Sequence, residues 1–240
     1  MAGPDAGGSE GQPGESWVVS EHPTDEDVAR FAAHHVREIA EQSVQRSGVF
    51  TFAVSGGRTP WVMFAHLADL DMPWANTRLF QVDERIAPAD DPARNLHHLR
   101  AALDGAPAEI VAMPVDVSDV TLAAADYARR IPQKFDLTHL GLGPDGHTAS
   151  LVPGDPILDV TDASVAVTTH PYQGLRRMSL TYPTLDSADT ILWLVTGAEK
   201  APALAMLLDH DPAIPAGRVR GRRNLVVCDA AARSGGVDAP

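Results

Sequence analysis

Cysteine occurs once in the 240 residues, at Cys228. No disulfide can form within the chain, so an apolar core must hold the fold and a reducing compartment suits it. Cys228 closes the apolar run Leu225 to Cys228 and reads as a buried, inert thiol. Lysine is almost as scarce: Lys134 and Lys200 are the only two, and arginine supplies the other basic side chains. Positive charge as a whole is short, with 19 basic against 32 acidic residues and a net charge of −13. That surplus repels phosphate backbones and anionic lipids, which argues against general nucleic-acid or membrane binding. An anionic ligand needs a local basic pocket. No apolar run approaches the roughly 18 to 20 residues of a membrane span. The opening MAGPDAGGSEGQPGES has neither the basic region nor the apolar stretch of an export signal, so the cytosol is the expected compartment. GxxxxGK[ST], GxSxG, HExxH, an EF-hand loop and a cysteine cluster are all missing, and no metal is expected.

What is present describes a globular body. Hydrophobic residues make up 44% and charged residues 21%, and a chain of this size hides roughly 70% or more of its surface on folding. Residues 1–15 and 231–240 are rich in Gly, Pro, Ser and acid and read as flexible tails. Residues 16–230 read as one domain without repeats or a long linker. After a Thr24 N-cap, Val28, Phe31, Ala32, His35, Val36, Ile39 and Ala40 recur at the three-and-four spacing of one helix face. Short apolar runs at Val49 to Val54, Leu79 to Val82, His139 to Leu142, Val165 to Thr168, Met178 to Thr181, Ile191 to Val195 and Leu225 to Cys228 read as buried strands. Helical stretches at about 60–69, 94–102, 118–130 and 198–208 separate several of them. The alternation predicts an α/β fold of three layers, a mostly parallel sheet with helices on both faces. Ligands then sit beyond the carboxyl ends of the strands, where the residues after each strand carry the chemistry. A monomer is expected.

Four such positions stand out. Ser55-Gly56-Gly57-Arg58-Thr59-Pro60 joins a strand to a helix: paired glycines admit a close ligand, and the free N–H groups of a first turn attract an anion. The segment reads as a phosphate cradle or as an ordinary tight turn. At Gln81-Val82-Asp83-Glu84-Arg85 charge follows directly on an apolar run, so Arg85 supplies donors for a phosphate or an oxyanion with Asp83 and Glu84 orienting it, or joins a rim salt bridge. In Gly141-Leu142-Gly143-Pro144-Asp145-Gly146-His147 the spacing GxGxxG follows a strand. The context of a dinucleotide site is missing, because Pro153 leaves little helix and no acidic strand end follows at the right distance. Asp145 and His147, two residues apart, suit acid-base chemistry, the alternative being a capping Asp beside an incidental His. Arg177 and Lys200 complete the set, with Lys200 either meeting a phosphate or standing as a solvated helix lysine.

Taken together, SGGRTP, VDER, the pair Arg94-Asn95, GLGPDGHTASLVPG, RMSLT and TGAEKA occur in the order and rough spacing of the 6-phosphogluconolactonases. The chain closely resembles that family from about Trp17 to Cys228. The resemblance implies the fold of the sugar-phosphate isomerases and deaminases, and hydrolysis of 6-phosphogluconolactone, a small phosphosugar lactone, in the oxidative pentose phosphate pathway without a cofactor. His147 is then the general base on water and Asp145 its orienting partner, with Arg85 counted among the catalytic groups. Ser55, Gly56, Gly57, Arg58, Thr59, Asp83, Gly143, Arg177 and Lys200 are then the substrate-binding set. Arg58, Arg94 and Val152 depart from residues common in the family, and the two arginines add charge near the expected phosphate pocket. Thr148-Ala149-Ser150-Leu151 follows the lactonase loop rather than the DGHIAFNEP continuation of the deaminases. A sugar-phosphate-binding regulator without turnover is the remaining alternative.

Overall fold

The computed structural model describes residues 16–234. In chain order it contains β1 (Ser16–His22), α1 (Asp25–Ser47), β2 (Phe50–Val54), α2 (Arg58–Ala68), β3 (Thr77–Gln81), β4 (Asp83–Arg85), α3 (Asn95–Ala102), β5 (Glu109–Val111) and α4 (Val120–Ala128). There follow β6 (Leu137–Gly141), β7 (Val165–Val167), β8 (Arg177–Leu180), α5 (Tyr182–Asp186), β9 (Thr190–Val195), α6 (Ala201–Leu208), β10 (Arg223–Asp229) and α7 (Ala230–Ser234). Seven strands form one sheet in the order β1-β10-β9-β6-β2-β3-β5, and every pairing in it is parallel.

β9 and β10 carry unbroken apolar runs, Ile191–Val195 and Leu225–Cys228, because both faces of the sheet are covered there. Along β9, Ile191, Trp193 and Val195 enter one core with Phe80, Tyr127 and Phe135, while Leu192 and Leu194 enter the other with Phe52, Met63 and Phe64. Three layers follow from that alternation. α1 starts at Thr24, whose hydroxyl accepts the Asp27 N–H at 3.2 Å, and ends at Gly48 in the left-handed region, φ +80°. Its buried face is Val28, Ala29, Ala32, Ala33, Val36 and Ala40, small residues that let it lie close to the sheet. Phe31, expected on that face, is exposed instead, stacked on His35 and tilted against His22.

Two expectations change. The runs at 165–168 and 178–181 lie outside the main sheet: β7 and β8 pair antiparallel with each other and with β4 in a separate three-stranded sheet. Periodicity cannot assign strands this short to a sheet, because their partners are distant in sequence. Residues 231–234, placed in a C-terminal tail, are helical in α7 with Ala232 buried. The remainder of that tail and the N-terminal tail 1–15 lie outside the described residues. Cys228 is buried, and burial pushes its thiol up to about 11.

All seven strands point the same way, so the turns after β2, β3, β6 and β9 gather at one end of the sheet. At the opposite end Asp136 fastens the entry of β2 to that of β6. Its carboxylate accepts the Thr51 N–H and hydroxyl, both at 2.8 Å, and an Arg46 N–H at 2.6 Å. Asp136→Ala leaves those donors unpaired and is expected to lower the unfolding free energy by about 2 kcal/mol. Urea unfolding with an unchanged m-value reads this directly; a loss below about 0.5 kcal/mol contradicts it.

Candidate active site

The site is assembled on two buried carboxylates. Past β3 the chain leaves the sheet at Val82, and Glu84 turns into a fully buried position. Its Oε1 accepts the Arg85 N–H at 2.8 Å and the Asn95 N–H at 2.7 Å; Oε2 accepts the Leu96 N–H at 2.9 Å and the Gln81 amide at 2.8 Å. Glu84 therefore satisfies the first turn of α3, where a negative charge is favoured. The adjacent Asp83 accepts the Ser150 hydroxyl at 2.6 Å, and the Asn95 amide donates to its backbone carbonyl at 3.0 Å. Arg177 Nη1 stands 4.0 Å from its carboxylate, and the Ser150 N–H donates to the Ser179 hydroxyl at 3.2 Å. Four sequence segments meet here.

Every expected site residue except Asp145 lines a single cavity of about 440 Å³ at this sheet end. Gly57, at φ +137°, turns the chain from β2 into α2, which has no side-chain cap. The N–H groups of its first turn are thus open to an anion. A Cβ on Gly56 would fall on the Asn95 side chain. The Thr59 hydroxyl pairs with that of Thr196 at 2.8 Å, fastening α2 to the end of β9. Arg85 donates to the Asn95 side chain. Arg58 is 77% exposed and lies 3.5 Å from Asp25, so it stands at the rim. Burial pushes the Lys200 ammonium down, against the raising effect of Glu199, and neighbouring Arg58 lowers it further. Arg94 does not line the cavity: it is buried with Nε 3.6 Å from Glu84, so its added charge is spent on the scaffold. The cavity walls carry Arg58, Arg85, Arg177 and Lys200 against Asp83 and Glu199, a local excess of positive charge on an acidic chain.

The Gly-rich loop after β6 closes on itself. The Gly143 N–H donates to the His147 carbonyl and the Gly146 N–H to the Gly143 carbonyl, both at 2.9 Å. Gly146 takes φ +79°, and a Cβ there would meet Ile214. His147 Nδ1 lies 2.5 Å from Asp145 Oδ1. A Cβ on Gly143 would fall on this imidazole and carboxylate, so only glycine leaves them room. With Nδ1 donating to the carboxylate, Nε2 is left as the basic nitrogen. Burial raises the Asp145 pKa, but hydrogen bonds and charge from His147 outweigh it and hold the carboxyl below its ordinary value. No helix follows Asp145, so the helix-capping alternative is not realised. Ser150 is spent on Asp83.

Sequence reasoning missed three contributors. Asn95 touches both Arg85 and Asp83, and only its place in the Arg94-Asn95 pair signalled it. Tyr172 lies beside His147 and Asp145 in a loop without any motif. His139, inside the apolar run of β6, accepts the Ser55 N–H on Nδ1 at 3.3 Å and so orients the turn after β2.

A family model described as glucosamine-6-phosphate isomerases/6-phosphogluconolactonase matches residues 23–228. The chain is 36% identical over 202 residues to the 6-phosphogluconolactonase of Caulobacter vibrioides, covering 79% of this chain and 86% of that one. It is 36% identical over 205 residues to the GDH/6PGL endoplasmic bifunctional protein of Homo sapiens, covering 78% of this chain and 26% of that protein. It therefore spans about a quarter of the bifunctional relative. The crystal structure of 6-phosphogluconolactonase from Thermotoga maritima superposes with a TM-score of 0.81 at 26% identity, over 89% of this chain and 100% of that one.

His139 gives the site a pH signature. Burial pushes its imidazole from 6.5 down to about 3. Between those values the unfolded chain binds a proton that the folded chain refuses, so this contribution to stability is full above pH 6.5 and is lost as the pH falls. The slope is about 1.4 kcal/mol per pH unit. His139→Gln keeps an acceptor for the Ser55 N–H but cannot titrate. Its unfolding free energy is expected to fall less steeply from pH 6 to pH 4 than that of the unsubstituted protein, and equal slopes in denaturant titrations contradict this.

Proposed function

We propose that this chain, which belongs to the glucosamine-6-phosphate isomerase/6-phosphogluconolactonase family, hydrolyses 6-phospho-D-glucono-1,5-lactone to 6-phospho-D-gluconate in the oxidative pentose phosphate pathway. The observation that carries the reading is one imidazole, oriented by one carboxylate at 2.5 Å, in a cavity whose walls hold four cationic side chains. The relatives named 6-phosphogluconolactonase match over most of their own length and support the same reading.

His147 Nε2 takes a proton from water as the oxygen attacks C1 of the lactone. The C1 carbonyl becomes a tetrahedral oxyanion. Its collapse breaks the bond between C1 and the ring oxygen, and the imidazolium returns the proton to that oxygen, giving the open-chain acid. Water is the only co-reactant, so the step needs no cofactor. Asp145 keeps the imidazole in the required tautomer and stabilises its charged form. The 6-phosphate meets the N–H groups of Gly56, Gly57 and Thr59 at the start of α2 and the side chains of Arg85, Arg177 and Lys200. Holding the phosphate places C1 over the base, so its binding energy appears partly in kcat. Residues 16–234 act as one domain, α7 included, and a monomer suffices because one chain supplies every group invoked. The lone buried cysteine suits the cytosol.

His147→Ala is expected to lower kcat on freshly prepared lactone by about 10² to 10⁴, after the spontaneous opening is subtracted, while KM changes little. Wild-type kcat in that variant removes His147 from the mechanism. The unsubstituted enzyme should show a far lower kcat/KM on glucono-1,5-lactone, which lacks the phosphate; equal values on both lactones contradict the phosphate assignment.

A further inference from the structure

The loop between β7 and β8 carries a side chain that no motif signalled. The Thr169 and His170 N–H groups donate to the Asp155 carboxylate at 3.2 and 2.8 Å, and the Arg177 N–H donates to the Thr168 hydroxyl at 2.9 Å, so both ends of the loop are pinned. The chain reverses through Gln173 at φ +52° and Gly174 at φ +85°, and the Tyr172 N–H donates to the Leu175 carbonyl at 2.9 Å. This holds the half-buried Tyr172 ring between two parts of the site without placing it in the cavity wall.

The Tyr172 hydroxyl lies 3.2 Å from Asp145 Oδ2 and 3.4 Å from His147 Nδ1. The guanidinium of Arg177 lies over its ring, 5.2 Å from the centroid. A phenol has one proton and two acceptor lone pairs. Burial, and then the charge of Asp145, raise the phenol pKa, so the hydroxyl keeps its proton and donates it to Asp145. Its oxygen then faces His147 Nδ1 with lone pairs alone, a contact that a lone pair on Nδ1 would make repulsive and that the Nδ1 proton, directed chiefly at Asp145, makes favourable. Tyrosine and aspartate thus both require a proton on Nδ1 and leave Nε2 free. The ring meanwhile offers its π face to a cation, an attraction that grows as the pair is desolvated.

Resting on the lactonase reading, we propose that Tyr172 is a positioning residue that fixes the His147 tautomer through its hydroxyl and seats Arg177 through its ring. One side chain thereby joins the general base to a phosphate-binding cation. The two contacts separate by substitution. Tyr172→Phe keeps the ring and removes the hydroxyl: kcat should fall about tenfold on both 6-phosphogluconolactone and phosphate-free gluconolactone, with KM unchanged. Tyr172→Leu removes both: the same fall in kcat is joined by a rise in KM of about threefold, on the phosphorylated lactone alone. A merely structural role would not divide the two substrates in this way. Wild-type kcat for Tyr172→Phe on both lactones overturns the tautomer role. A KM rise for Tyr172→Leu that is equal on both substrates overturns the Arg177 role. Absence of turnover by the unsubstituted protein strikes the lactonase reading instead. In that case calorimetry with inorganic phosphate still tests the ring contact: weaker binding by Tyr172→Leu but not by Tyr172→Phe supports it, and equal affinities contradict it.

Discussion

The burial of two adjacent carboxylates, Asp83 and Glu84, is the constraint on which the site depends. A carboxylate out of water is tolerable only when its oxygens are filled with donors. Here the donors come from elsewhere in the chain: Gln81, the first turn of α3, and Ser150 of the Gly-rich loop, with Arg177 of β8 close by. Satisfying the two charges therefore draws together segments that the main sheet alone would leave apart. The small antiparallel sheet serves the same end, since β4 carries both carboxylates and β8 carries Arg177.

The electrostatics of the site oppose those of the chain. A net charge of −13 repels any anion at long range, while Arg85, Arg177, Lys200 and the start of α2 give the cavity a local positive field, as the proposed phosphosugar site requires. Desolvation works in the same direction: burial pushes Lys200 and Arg177 down from their ordinary values, and an incoming dianion reverses that penalty by supplying the missing counter-charge. On the proposed reading, specificity for a phosphorylated ligand follows from cations that the protein itself pairs incompletely. Glu84, by contrast, holds Arg94 inside the scaffold, where the same charge contributes to structure alone.

Much of this was legible in the sequence, for a physical reason. Strands covered on both faces, such as β9 and β10, carry continuous apolar runs, and the loops that follow parallel strands must share one end of the sheet. Reading the residues after each run therefore recovered Ser55 to Thr59, Asp83, Arg85, Gly143 to His147 and Lys200 as one cluster. What escaped had no local signal. β4 and β5 are three residues long and owe their existence to distant partners, and β7, legible as a strand, gave no sign that it lies outside the main sheet. Asn95, His139 and Tyr172 are ordinary polar residues whose roles arise from contacts 10, 84 and 27 positions away in the chain. The charge of Arg94 suggested the cavity, but a fully buried acceptor beside it captured the side chain. On α1 the expected Val28, Ala32, Val36 and Ala40 are buried, but Ala29 and Ala33, which allow close packing, take the rest of the face in place of Phe31.

The central claim is that the Asp145–His147 pair serves one proton transfer to and from a lactone, and lacks the second relay that an aminosugar isomerisation needs between C1 and C2. The loop after His147 is consistent with this: Thr148 donates to the Gly141 carbonyl at 2.8 Å and Ser150 to Asp83, so neither hydroxyl is spare for proton shuttling. Parallel assays of the purified protein test the claim most directly. The account predicts rapid opening of 6-phosphoglucono-1,5-lactone above its spontaneous rate and no ammonia from glucosamine 6-phosphate at the same enzyme concentration. Ammonia release at a turnover comparable to lactone opening would contradict it.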